Sequence, residues 1–367
     1  MGFVLEPEQA AELIARNPRY KNCLFPYLNG EDLNSRPDQS PSRWVINFFD
    51  WPLNRIAVGQ WLTADEKEQK EWLRSGIVPA DYPDPVAADY PDLLAIVDEK
   101  VKPERDKLGL KNDASAQGYA KNWWQYARKG IELYAAIEGR EQVIVKTQVS
   151  KQHMFSFVPT GIVFDQRIAC TNLYKQCEFS LMQSSIHEEW GRHYGSTLET
   201  RYTYTPTNCF ETFPFPKFPL PELEAIGERY YQHRQSIMQT RSEGLTKTYN
   251  RFHNPAETSP DIAELRRLHV EMDKAVAVAY GWQNLALNHG FHETKQGIRY
   301  TISEAARREV LDRLLELNHQ RHAEEVDSGL YEKKLKTGQI AGRNSNKSVT
   351  HAGITPQTDM FIVPEHE

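Results

Sequence analysis

The spacing of apolar residues changes abruptly near residue 195, and no other feature limits the fold as much. From Gln183 to Pro216 the chain reads QSSIHEEWGRHYGSTLETRYTYTPTNCFETFPFP. Ile186, Trp190 and Tyr194 recur about once per helical turn, which predicts an amphipathic helix. Gly195 predicts the left-handed turn that ends many helices. Beyond it, Leu198, Thr200, Tyr202 and Tyr204 alternate with Glu199, Arg201 and Thr203, as on a strand with two unlike faces. Phe213-Pro214-Phe215-Pro216 closes the block, because proline removes donors that a central strand needs.

The polar face of that strand sets Glu199 beside Arg201. A carboxylate can accept from a cytosine amino group, and a guanidinium can grip a guanine edge through two hydrogen bonds. An acid and a base two apart on a strand also make an ordinary solvated ion pair. Taken alone, the residues leave both readings open.

At 367 residues the chain has room for two domains. Its net charge of −6 argues against a nonspecific polyanion binder, while a local basic stripe would still permit specific binding. Cys23, Cys170, Cys177 and Cys209 are far apart with no C-x-x-C, which fits a reducing cytoplasm better than a disulfide framework or metal site. No signal peptide and no long apolar run is present, so a soluble chain without membrane contact is expected.

In chain order, a helix is predicted over 6–20, then a turn at Asn29-Gly30 and a buried strand over Trp44–Phe48. A charged helix follows over 90–105, where Lys100, Lys102, Arg105 and Lys107 could face phosphates. Trp123 and Trp124 cannot share a helix face, so one could be partly exposed, though a buried core pair is the favoured reading. The strand Val143–Lys151 carries Lys146, Gln148, Ser150 and Lys151 among β-branched residues. Lysines and hydroxyls bind phosphates and fix register, and Gln148 could bond an adenine edge. Met154–Val158 and Ile162–Phe164 predict a hairpin around Pro159-Thr160-Gly161, and one helix is expected from Glu178 to Trp190. Leu223–Arg241, Asp261–Tyr280 and Ala305–Ala323 predict long helices in an all-helical C-terminal part. Residues 336–367 have the composition of a disordered tail.

Several of these passages resemble one family. "YLNGEDL" followed by "WVINF", the "WW" segment before a basic strand, Glu-x-Arg at 199–201, and "GLTKTYNRFHNP" are similar to the target-recognition and helical region of type IIG, MmeI-like adenine-N6 DNA methyltransferase–restriction enzymes. The resemblance spans most of residues 20–330. It implies an α+β fold: a helical lead-in (1–22), a β-rich recognition domain (23–218), a helical domain (219–335) and the tail. It implies that double-stranded DNA is the partner, with Glu199, Arg201 and Gln148 reading bases. Lys146, Ser150, Lys151, Arg192 and Lys247 would contact phosphates.

Adenine methylation needs an Asn-Pro-Pro-aromatic loop to hold the flipped base. Asn17-Pro18-Arg19 and Asn254-Pro255-Ala256 do not supply one, and no Gly-rich turn for S-adenosylmethionine is visible. No activity is therefore expected from this chain alone, and none of its residues is assigned to catalysis, cofactor or metal. S-adenosylmethionine and methyl transfer would belong to a methyltransferase catalytic domain, in the same full-length chain or in a separate subunit. Two other readings stand beside this one. An independent Mg²⁺-dependent nuclease would use Asp38, Glu68 and Lys70, and a protein-interaction scaffold would use the C-terminal helices.

Overall fold

The computed structural model describes residues 2–127, 129–198, 201–217 and 220–328, with backbone alone for Thr197, Leu198 and Arg201. Helix accounts for 52% and strand for 15%, the strands falling into sheets of two to four, so the fold is α+β. The chain divides into two compact units, each discontinuous in sequence. The first comprises Met1–Asp32, Ser40–Gly139 and Pro159–Gln166; the second comprises Leu33–Gln39, Arg140–Val158 and Arg167 onward. Each has its own apolar core. The boundary expected at residue 218 falls inside the second unit, and the tail expected over 336–367 lies outside the described residues.

In the first unit a four-stranded sheet runs in the order Val4–Leu5, Arg43–Ile46, Leu24–Leu28, Val163–Phe164. The last pair is parallel and the others are antiparallel. Val45, Phe48, Tyr90, Leu93 and Trp124 fill the core beside it. The two tryptophans meet edge to face, but they are not both buried as a core pair would be. Trp124 is buried and donates from its indole to the Trp51 carbonyl (2.9 Å), while half-buried Trp123 lies 4.9 Å from the Lys102 ammonium. The helix expected over 90–105 breaks into Pro91–Lys100 and Lys102–Gly109, because Pro103 lacks the N–H that would continue it. Arg105 turns inward and donates to the carbonyls of Asn122 (3.0 Å) and Gln125 (2.9 Å), so it does not line a phosphate face.

The hairpin expected over 154–164 does not form. Ser156–Pro159 joins a sheet with Gln142–Thr147 and Ile168–Cys170, whereas Val163–Phe164 pairs with Leu24–Leu28. Phe157 and Val163 are claimed by different cores, and that burial outweighs the local turn signal.

The second unit contains most of the long helices. Pro221–Arg241, Pro260–Ala279 and Glu304–Asp327 lie where the apolar spacing predicts them. Gly227 lets the first of these approach Gln176–Gln183 closely: a Cβ there would stand 2.3 Å from the Gln176 carbonyl. The Ser180 hydroxyl donates to the Leu223 carbonyl (2.8 Å) across the same contact. The single helix expected over 178–190 is two, Gln176–Gln183 and Ser185–Tyr194. Ser184 is extended between them and caps the second by accepting from the His187 N–H (3.2 Å). The C-terminal part is not all-helical. Gly290–Thr294 and Gly297–Thr301 form an antiparallel hairpin, with Gly297 at φ +93°, a conformation that suits glycine.

Candidate functional site

Helix Ser185–Tyr194 delivers the chain to a three-stranded sheet in the order Ser196–Leu198, Arg201–Thr203, Val149–Ser150. The expected single strand over 198–204 is therefore not continuous: Leu198 ends the first arm of a hairpin and pairs with Arg201, which opens the second. Gly195 is extended (φ −74°), not left-handed. Glycine is needed there for another reason: a Cβ would stand 2.6 Å from the Gly191 carbonyl oxygen and 2.8 Å from that of Thr203. Glu199 lies outside the described residues, and only the backbone of Arg201 is described.

Gln148 links this sheet to the larger one. Its N–H donates to the Arg167 carbonyl (2.7 Å), and its own carbonyl accepts from the Tyr204 N–H (2.7 Å). Its side chain is half-buried.

Beneath the hairpin is a buried polar layer that the sequence did not announce. Tyr202 and Tyr204 point inward. Tyr202 donates its hydroxyl proton to His153 Nδ1 (2.6 Å), because His153 Nε2–H is committed to the Met182 carbonyl (2.8 Å). Tyr204 shares a hydrogen bond with His187 Nε2 (2.9 Å). Burial pushes the His153 imidazole down to about 3 and holds His187 well below the usual range, so both are neutral.

Lys146 is the largest correction. Expected as a phosphate contact, it is 0% exposed, with Nζ 4.9 Å from the centre of the Tyr202 ring and donating to the Gln152 carbonyl (3.2 Å). Burial, with the Arg192 charge nearby, pushes its ammonium down to about 7. Ser150 is also buried, its hydroxyl accepting from the Gln152 N–H (3.1 Å). Arg192 is spent on an internal ion pair with Glu188 (2.6 Å), on the Lys151 carbonyl (3.2 Å) and on the Tyr202 ring (4.7 Å). Burial alone would raise the Glu188 carboxyl, but the Arg192 and Arg299 charges hold it well below the usual range. Arg299 arrives from the 290–301 hairpin and donates to Gln152 Oε1 (2.6 Å). Lys151 and Lys247 are the exposed members of the expected phosphate set.

Elsewhere, Ser185, His269, Asp273 and His289 form a second enclosed network. Asp273 accepts from the Ser185 N–H (2.8 Å) and lies 2.8 Å from His289 Nε2, while the Ser185 hydroxyl meets His269 Nε2 (3.1 Å). All four side chains are shielded from solvent, so this resembles a packing device more than a nucleophile and base open to substrate. His289 belongs to this network through its contact with Asp273. The three proposed nuclease residues have ordinary local partners. Asp38 pairs with Arg36 (3.6 Å), Lys70 with Glu66 (2.8 Å), and Glu68 completes a capping box with Asp65. Among the described residues no group of His, Cys, Asp or Glu could hold a metal ion, and no helix is long and apolar enough to cross a membrane.

Residues 87–217 match a family model described as MmeI, target recognition domain. A search of curated proteins finds no match. The fold is similar to that in a solved structure of the Type IIL restriction-modification enzyme MmeI in complex with DNA (TM-score 0.51, 17% identity). That likeness covers 88% of this chain and 34% of that one, so this chain spans well under half the length of the solved relative.

Proposed function

We propose that this chain is the DNA-recognition portion of a restriction–modification adenine-N6 methyltransferase, with methyl transfer and S-adenosylmethionine binding carried by a catalytic half. One observation carries the reading: the segment similar to the MmeI target recognition domain includes the hairpin at 196–203 and most of the layer that supports it. A short strand on a packed base suits readout, since base edges discriminate only when the reading groups are held in place. Glu199 and Arg201 read one base pair from that hairpin, with Gln148 alongside. Lys151 and Lys247 meet phosphates, which position the duplex without reading it. Lys146, Ser150 and Arg192 serve the support instead.

The test pairs the chain with its catalytic half and measures binding to duplexes differing at single base pairs. Arg201→Ala should relax preference at one base pair by about 1–3 kcal/mol. Lys247→Ala should weaken binding to every duplex alike and lower the salt slope by about 1. Unchanged preference at every position in Arg201→Ala would remove the base-reading assignment.

A further inference from the structure

The buried layer under the hairpin contains more polar groups than packing requires, and they converge on one ring. We propose that Tyr202, through its hydroxyl bond to His153, is a positioning residue for base discrimination, fixing the strand that carries Arg201 against the body of the second unit. This rests on the reading of the chain as a DNA-recognition portion.

Strand Arg201–Thr203 has three residues, too few to hold its own position by ladder bonds alone. Tyr202 is the residue that anchors it inward, at 2% exposure. Its hydroxyl proton goes to His153 Nδ1 (2.6 Å), and the Met182 carbonyl fixes the tautomer that leaves this nitrogen free to accept (2.8 Å). The ring lies within reach of two cations, Lys146 (4.9 Å) and Arg192 (4.7 Å). Arg192 is in turn held by Glu188 (2.6 Å) and the Lys151 carbonyl (3.2 Å). One ring is thereby tied to the end of helix Gln176–Gln183, to helix Ser185–Tyr194 and to the segment after Val149–Ser150. An apolar residue would bury as much area, but it would not fix the strand along its own axis. A directional hydroxyl bond does, and in-plane placement is what a bidentate contact to a base requires.

The experiment uses the full chain with its catalytic half and two quantities: affinity for the preferred duplex, and affinity for the duplex altered at the base pair read by Arg201. Tyr202→Phe removes a single oxygen. The expected result is a loss of about tenfold in the ratio of the two affinities, the scale of a misplaced base contact, with affinity for the altered duplex unchanged. His153→Leu should do the same, and His153→Asn, which keeps an acceptor near Nδ1, should restore part of the ratio. Melting curves of each variant identify any that fail to fold. If Tyr202→Phe folds and keeps the wild-type ratio, or weakens both duplexes equally, the positioning role is overturned. If the wild-type chain itself shows no preference, the DNA-recognition reading fails, and this inference with it.

Discussion

At the scale of single residues, the decisive question is which polar groups of a strand face solvent. In Val143–Lys151 the sequence could not say. Val145, Lys146 and Thr147 are all buried, so the strand is covered on both faces and the usual alternation carries no information. On the proposed DNA-recognition reading, Lys146→Met should therefore leave the salt slope of DNA binding unchanged. It should also hold or raise the midpoint of chemical unfolding, because an apolar isostere avoids the cost of burying an ammonium. A clear drop in that midpoint would show that its bond to the Gln152 carbonyl matters more than its burial.

The buried histidines give a second prediction. His153, His187, His253 and His269 all have folded values depressed by burial from an ordinary value near 6.5. A depressed folded value means that the unfolded chain takes up protons first as pH falls. Stability is thus intact above about pH 6.5 and is lost below it, by roughly 2 kcal/mol at pH 5 for His153, whose folded value is about 3. Glu189 acts the other way: burial and the neighbouring Glu188 charge push it up to about 7, so it favours the folded state as pH falls toward its usual value of 4.5. Burial raises the Glu178 carboxyl in the same sense, but four imidazoles outweigh two carboxyls, and denaturant midpoints should decline between about pH 7 and about pH 5. A flat or rising profile would mean that the imidazoles are not neutral in the folded chain.

At the scale of elements, the long helices were legible and the hairpins were not. Three helices follow apolar spacing over many residues, so local errors average out. The hairpin at 290–301 has arms of five residues, and its turn signal is a single glycine between two long helices. The 196–203 hairpin was read as one strand because its two arms share one alternating run. The helix-to-strand change at Gly195 was visible, but its cause was not. The glycine is required by the carbonyls of Gly191 and Thr203, which no local pattern records. Gly195→Ala should cost roughly 1–3 kcal/mol in unfolding free energy, as overpacking does. A thermal midpoint within error of wild type would show that the hairpin can move aside.

At the scale of the molecule, composition and length fitted two compact bodies, but their membership was hidden. Linker-like prolines near residue 219 suggested a border, whereas the chain changes units at 32–33, 39–40, 139–140, 158–159 and 166–167. Pairing between segments far apart in sequence decides this, and a single sequence carries no trace of such pairing. The parallel pair of Leu24–Leu28 with Val163–Phe164 is the clearest instance. It also governs how segments could be transplanted. A chimera joined to a relative at one point near residue 139 would set a foreign strand at 163–164 against a native partner at 27–28. Such a graft should give poor soluble yield, while one that keeps the native 159–166 segment should melt near the parent. Exchange between related chains would then favour small replacements over wholesale crossover.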